Sequence, residues 1–280
     1  MTAAMLATVT IGSFAAAGLG ASLGMAGGIF VVPLLTVVAG LPFAGAVAVS
    51  LVSVVACSCA GSPALVGARL VNIRLAIVLG IAAALGALTG LLAVDAVPER
   101  ALYGLFAVVL AVSAAQMLRA RGPRDDSVAA RGKWATRLRL HSSVPDGTAG
   151  ETPYTVARPG AGLAAMFGAG VLSTLLGIGS GVLKIPAMDM ALRLPLKVSS
   201  ATATLMIGVT TAGAAAAVLV HGAVDLAFAA PVVLGSVGGS VLGARLLVRA
   251  NPSHLRVLFF GVLVAVAVPM TFAAFGSGLR

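Results

Sequence analysis

GMAGGIFVVP, Gly24–Pro33, interrupts a long apolar run with glycines and closes on a proline. The pattern returns 153 residues later as GIGSGVLKIP, Gly177–Pro186. Glycine-broken apolar segments at corresponding places in two halves are the sequence mark of a binding site in a membrane transporter. The alternative is that the glycines only let helices approach closely. Each break carries backbone groups freed from helical bonding. A helix starting there aims its N–H groups and its positive dipole end into the break, an arrangement suited to an anion.

Composition supports a membrane setting. The chain of 280 residues is 60% hydrophobic and 9% charged, against about 25% charged in ordinary soluble domains. Apolar stretches of about 20 residues recur, the length that crosses a hydrocarbon core of roughly 30 Å. They are continuous rather than alternating, which argues against a membrane barrel. The expected fold is an all-α polytopic membrane protein with about eight transmembrane helices in two repeats, the first helix of each broken or re-entrant. The N-terminal stretch lacks a basic n-region and reads as the first helix.

The first apolar block, residues 3–39, would be roughly 54 Å long as one helix. That is too long for one straight span and short for two, so two pieces joined at the glycines are expected, as a kink or a re-entrant hairpin. Further helices are expected over 43–66, 73–94 and 101–118. Gly86 and Gly90 form a GxxxG spacing that favours close packing. Residues 119–159 are polar and read as a cytoplasmic linker. Trp134, among Arg131, Lys133, Arg137 and Arg139, either rests on the membrane surface or is solvated with the rest. The domains are therefore 1–118, a first transmembrane repeat, 119–159, the linker, and 160–280, a second repeat. Sliding the sequence by 153 superposes Gly24, Gly28 and Pro33 on Gly177, Gly181 and Pro186, and Gly86 and Gly90 on Gly239 and Gly243. This points to internal duplication.

The net charge of +10 does not mark a nucleic-acid partner. Eight of the 18 basic residues lie between Arg119 and Arg158, and most others flank apolar runs, where they act as topology signals. With the linker in the cytoplasm, parallel halves put 11 basic residues inside and six outside. Inverted halves put 15 inside and leave Arg100 and Arg280 outside, with Lys184 excluded from both counts. The inverted arrangement fits better, with both termini outside.

Candidate substrate-binding residues are Gly24, Gly27, Gly28, Ser50, Ser53, Gly177, Gly179, Ser180, Gly181, Lys184, Thr202 and Thr204, with Pro33 and Pro186 closing the helix breaks. Lys184 is the sharpest of these, because a lysine within a membrane is costly and usually functional. It either binds an anion directly or snorkels to the interface. Asp189 is a candidate for coupling to a proton or cation, or marks an interfacial turn. The hydroxyls of Ser50, Ser53, Ser199, Ser200, Thr202 and Thr204 either meet the substrate or bond their own helices. Asn72 and Asp225 hold equivalent places before helices, and capping is the better account of them. Cys57 and Cys59 lie two residues apart on different helix faces, so a disulfide is not expected. No catalytic set, metal site or cofactor is expected, and the three histidines lie far apart in sequence.

These motifs resemble the TauE/SafE family of sulfite-exporter-like permeases, whose pattern is a glycine-rich run, a short apolar stretch, Val-Pro, a Leu-Pro turn and a small-residue run, once per half. The carriers are Gly24, Gly27, Gly28, Val32, Pro33, Leu41, Pro42, Ala48 and Ser50, then Gly177, Gly179, Ser180, Gly181, Ile185, Pro186, Leu194, Pro195, Ala201 and Thr202. The resemblance implies a permease for sulfur-containing anions such as sulfite or sulfonates. Met25-Ala26, Ser180 and the charges of KIPAMD (184–189) depart from the pattern and bear on the substrate. The expected function is a secondary transporter of a small anion by alternating access, not an enzyme. The alternatives are a channel or transporter for an unrelated metabolite, and more remotely a membrane-embedded enzyme. Its partners are the anion and the lipid bilayer of the cell membrane, with a homodimer compatible with the pattern and no nucleic acid.

Overall fold

A computed structural model of the chain describes residues 3–93, 104–105, 108, 140–145, 151–176, 181–249, 257 and 260–261. Its elements are α1 (Ala3–Leu23), α2 (Gly28–Pro33) running into a π-helical turn (Leu34–Val38), α3 (Phe43–Gly67), α4 (Ile73–Ala93), a hairpin of β1 (Ser142–Pro145) and β2 (Glu151–Tyr154), then α5 (Pro159–Leu176), α6 (Gly181–Ala191), α7 (Leu196–Val220) and α8 (Leu226–Arg249). Five of these helices, α1, α3, α4, α7 and α8, are long and apolar enough to cross a membrane. The chain is a polytopic helical membrane protein. Most of the expected helix over 101–118 lies outside the described residues, with 104–105 and 108 helical, and so do Gly177, Gly179, Ser180 and Trp134.

The first break is a hairpin rather than a kink. Gly24, Ala26 and Gly27 all take positive φ, 83°, 52° and 75°, a region glycine enters without a Cβ penalty and alanine does not. The chain therefore reverses within four residues, and α2 folds back along α1, with Gly27 against Ala17 and Gly12 against the Leu34 side chain. At Pro33 the ladder changes. Proline has no N–H, and the following turn slips to wider bonds, with Ala39 N donating to Leu34 O at 3.3 Å. The returning segment, residues 28–38, rises about 16 Å, half the depth of a bilayer core.

The helices that follow the break start at matching places in the second half. α2 and α6 begin at Gly28 and Gly181, α3 and α7 at Phe43 and Leu196, and α4 and α8 at Ile73 and Leu226, a constant step of 153 residues. Packing is reciprocal under the same step. α1 lies along α8 and α4 along α5, while α3 and α7 meet at the centre. Gly86 and Gly90 of α4 leave no room for a Cβ against the carbonyls of Phe167 and Val171 in α5. Their counterparts Gly239 and Gly243 of α8 press in the same way on the carbonyls of Phe14 and Gly18 in α1. The expected GxxxG packing is thus realised between helices of different halves. The order of these contacts makes α4 run with α5 and α8 with α1.

The outward faces are apolar. Ile73, Ile77, Ile81, Leu85, Leu88 and Leu92 form an exposed stripe down α4, a surface for acyl chains rather than water. On two helices of the central layer, serines and threonines are buried with the apolar core: Ser50, Ser53, Ser58 and Ser62 on α3, and Ser199, Ser200, Thr202, Thr204, Thr210 and Thr211 on α7.

The linker is not entirely a solvated coil. β1 and β2 pair antiparallel with Ser142 opposite Tyr154, and Leu140, Tyr154, Val156 and Ala157 are buried. This hairpin is an addition to the all-α expectation.

Candidate functional site

The described end of the second break meets the first. Gly181, the first residue of α6, sits so close to the first break that a Cβ there would fall 2.6 Å from Met25 Cα and 3.1 Å from Gly24 O. Gly24 in turn packs on the backbone of Ser200 in α7. The structure thus brings together Gly24, Gly181 and the start of α7, the region that carries Thr202 and Thr204. Gly27 belongs to the α1–α2 contact, and Gly28 offers its carbonyl to Ser50 Oγ at 3.4 Å. Pro33 closes α2 and Pro186 lies within α6.

One turn into α6, Lys184 is completely buried, at 0% exposure. Its Nζ donates to Thr210 Oγ1 of α7 at 2.7 Å. Thr210 passes the bond on to Met206 O at 2.9 Å. The ammonium has three donors, and among the described residues Thr210 is its one acceptor. The side chain ends among buried residues on a central helix rather than at the protein surface. Under the 153-residue step, Lys184 and Thr210 correspond to Val31 and Cys57. The first half thus has no cation at this place, and Cys57 Sγ there approaches Ser236 O at 3.4 Å. Asp189 lies further along α6 and is buried, at 7% exposure.

The candidate hydroxyls divide. Ser53 Oγ donates to Ser236 Oγ of α8 at 2.9 Å, and Thr204 Oγ1 bonds back to Ser200 O at 3.0 Å within its own helix. Thr202 Oγ1 accepts the Asn72 N–H at 3.2 Å. Ser58 Oγ of α3 bonds to the Thr204 carbonyl and accepts the Gly208 N–H at 2.9 Å, riveting α3 to α7. Ser199 Oγ, one residue from the Gly24 contact, is buried with no hydrogen-bond partner among the described residues. A buried hydroxyl without a partner is a costly vacancy in a low-dielectric site. Ser13 and Ser62 share this condition among the described residues.

Capping explains Asn72 and Asp225. Asn72 Oδ1 accepts Leu75 N at 3.0 Å, and Asp225 Oδ1 accepts Ala227 N at 2.9 Å. Asn72 does more, since its Nδ2 also donates to Leu140 O at 2.9 Å and Tyr154 Oη at 3.0 Å. Burial pushes the Tyr154 phenol above its ordinary range, while its bonds to Asn72 and Ser142 pull the other way. Cys57 and Cys59 are both free thiols.

Helices of membrane length, a returning half-length segment and a buried lysine one turn past Gly181 fit a polytopic helical membrane transporter. The family model described as sulfite exporter TauE/SafE matches residues 9–270. The chain belongs to that family. No curated protein and no solved structure matches it significantly.

Thr210 and the Asn72–Tyr154 contact were missed in the sequence. The periodic match of Thr210 to Cys57 was available, but nothing in the pattern singled it out from neighbouring Thr211.

Proposed function

We propose that the protein is a secondary transporter of a small anion, sulfur-containing as in sulfite or a sulfonate, working by alternating access around the paired breaks. The observation that carries this reading is Lys184. A buried ammonium with a single neutral acceptor among the described residues is an incomplete arrangement, because burying a charge without a counter-charge is strongly unfavourable. An anionic substrate completes it. Gly24 and Gly181 let backbone approach closely at the start of the helix that carries Lys184. Family membership supports the sulfur-oxyanion class.

In this reading the halves are inverted, and the linker side is cytoplasmic. The direction of the helices supports this: α2 runs back against α1, α3 back against α2 and α4 back against α3, whereas α8 runs with α1. The charges agree. Arg69 and Arg193 both take left-handed backbone, φ 55° and 54°, and their counterparts Gly222 and Gly40 take the same conformation, φ 66° and 68°. Glycine holds this conformation freely, while a side chain costs about 1 kcal/mol. Each arginine sits on the side of the linker hairpin, where Ala157 N bonds Leu192 O, and each glycine on the other. Charge is held on one face at the expense of backbone strain, as orientation by basic residues requires.

Purified protein in liposomes is expected to carry sulfite or a simple sulfonate with saturable kinetics. Absence of flux for these and for simple carboxylates under every gradient would overturn the anion reading. Flux that never saturates, with single-channel currents, would replace the transporter with a channel. Reporters fused after Gly222 and Arg249 are expected outside and inside the cell, respectively. The reverse pair of locations sinks the inverted arrangement.

A further inference from the structure

The Asn72 cluster does something that capping does not require. Its counterpart Asp225 caps α8 with one side-chain bond and stays exposed. Asn72 is buried and joins three separate pieces of chain: the start of α4, Thr202 of α7, and the linker hairpin through Leu140 O and Tyr154 Oη. The hairpin side is anchored as well. Val156 N donates to His141 Nδ1 at 3.1 Å, closing the strap on itself, and Ala157 N donates to Leu192 O at 3.2 Å, fixing its end to the turn between α6 and α7. Leu140, Tyr154 and Val156 bury their side chains against the same end of the helices. At the corresponding place in the other half, Val49 stands where Thr202 stands, so the polar bond across the seam has no equivalent there.

We propose that the segments Leu140–Pro145 and Glu151–Ala157 form a latch that closes the seam between α4 and α7 at the linker end and biases the resting transporter to be shut on that side. The argument is one of asymmetry. Two halves of the same layout give two seams, α4 with α7 and α8 with α3. Among the described residues, only the first is crossed by the hairpin and by a bond from the N–H that begins a helix; the second is joined deeper, where Ser53 and Cys57 both bond Ser236. Exposure of the buried residues to the linker side requires α4 to part from α7 at Asn72, and each latch bond must then break. Asn72 is the hub because an amide both donates and accepts. It accepts from its own helix while donating twice to the strap. A carboxylate such as Asp225 has no donor and cannot hold a carbonyl.

Tyr154→Phe tests this. It keeps the ring in place and removes the hydroxyl that Asn72 reaches. A single cysteine at Leu70, in a background with Cys57 and Cys59 replaced by serine, reports opening, because Leu70 is buried beside the latch. Labelling of that cysteine by a membrane-impermeant maleimide from the linker side is expected to rise about fivefold in Tyr154→Phe, the scale set by losing one net hydrogen bond. Replacing Ser142–Tyr154 with a flexible Gly/Ser segment should raise it further. Labelling unchanged in both variants overturns the latch. So does a rise of the same size in Thr36→Val, which removes a hydroxyl bonded within the returning segment of the first half. Labelling needs no substrate, so its outcome is separate from that of the anion reading.

Discussion

Replacing Lys184 with alanine is expected to lower the rate of anion transport at least about thirtyfold while the protein still folds. A buried charge pair loses roughly 2 kcal/mol or more when one member is truncated, and each 1.36 kcal/mol is a factor of ten. Folding should survive because the change removes an uncompensated cation rather than an apolar contact. Lys184→Val, which copies Val31 of the first half, should behave alike. Thr210→Val should be milder, since it removes the acceptor and leaves the charge in place. The assay is sulfite flux into liposomes, with unfolding temperature measured on the same preparations. Unchanged flux in Lys184→Ala removes the residue from the site, whatever the substrate proves to be.

Gly24→Ala should be severe by a different route. At φ +83° an alanine is strained by about 1 kcal/mol. Its Cβ would also stand 2.6 Å from Ser200 Cα, a backbone atom in the middle of a packed layer. Overpacking of this kind costs roughly 1–3 kcal/mol. A markedly lower unfolding temperature, or loss of folded protein from the membrane, is the expected result. Gly45→Ala on α3 is the control. A Cβ there meets nothing within 4 Å, and alanine is the better helix former. Equal stability of the two variants would show that the first break tolerates a side chain and is not a close junction.

Much of this was legible because glycine and proline carry geometric information even in a uniformly apolar chain. The breaks, the Leu-Pro turns and the 153-residue step fixed where α2, α3, α6 and α7 begin. The buried faces were not legible from hydrophobicity. Lipid tails are as apolar as the core, so Ile77 and Ile81 face outward as comfortably as Leu75 and Leu79 face inward. Hydroxyl partners were equally hidden. Ser53 and Thr204 look alike in sequence, yet one crosses to α8 and the other bonds its own helix. The hairpin was masked by composition: Ser142–Pro145 and Glu151–Tyr154 are polar and proline-bearing, and a few apolar side chains, Leu140, Val144, Tyr154 and Val156 among them, tie them down.

The glycine-to-carbonyl contacts have a mechanical consequence. Gly86 and Gly90 seat directly on the backbone of α5, and Gly239 and Gly243 on that of α1, with no side chain between to act as a cushion. Helices meshed backbone to backbone slide poorly, because any displacement drives a carbonyl into a Cα. α1 with α8 and α4 with α5 are thus two stiff beams, each built from one helix of either half. In the transport cycle proposed above, the pieces left to rock are these mixed beams against the α3–α7 spine, because the two sequence repeats are geared together at both edges.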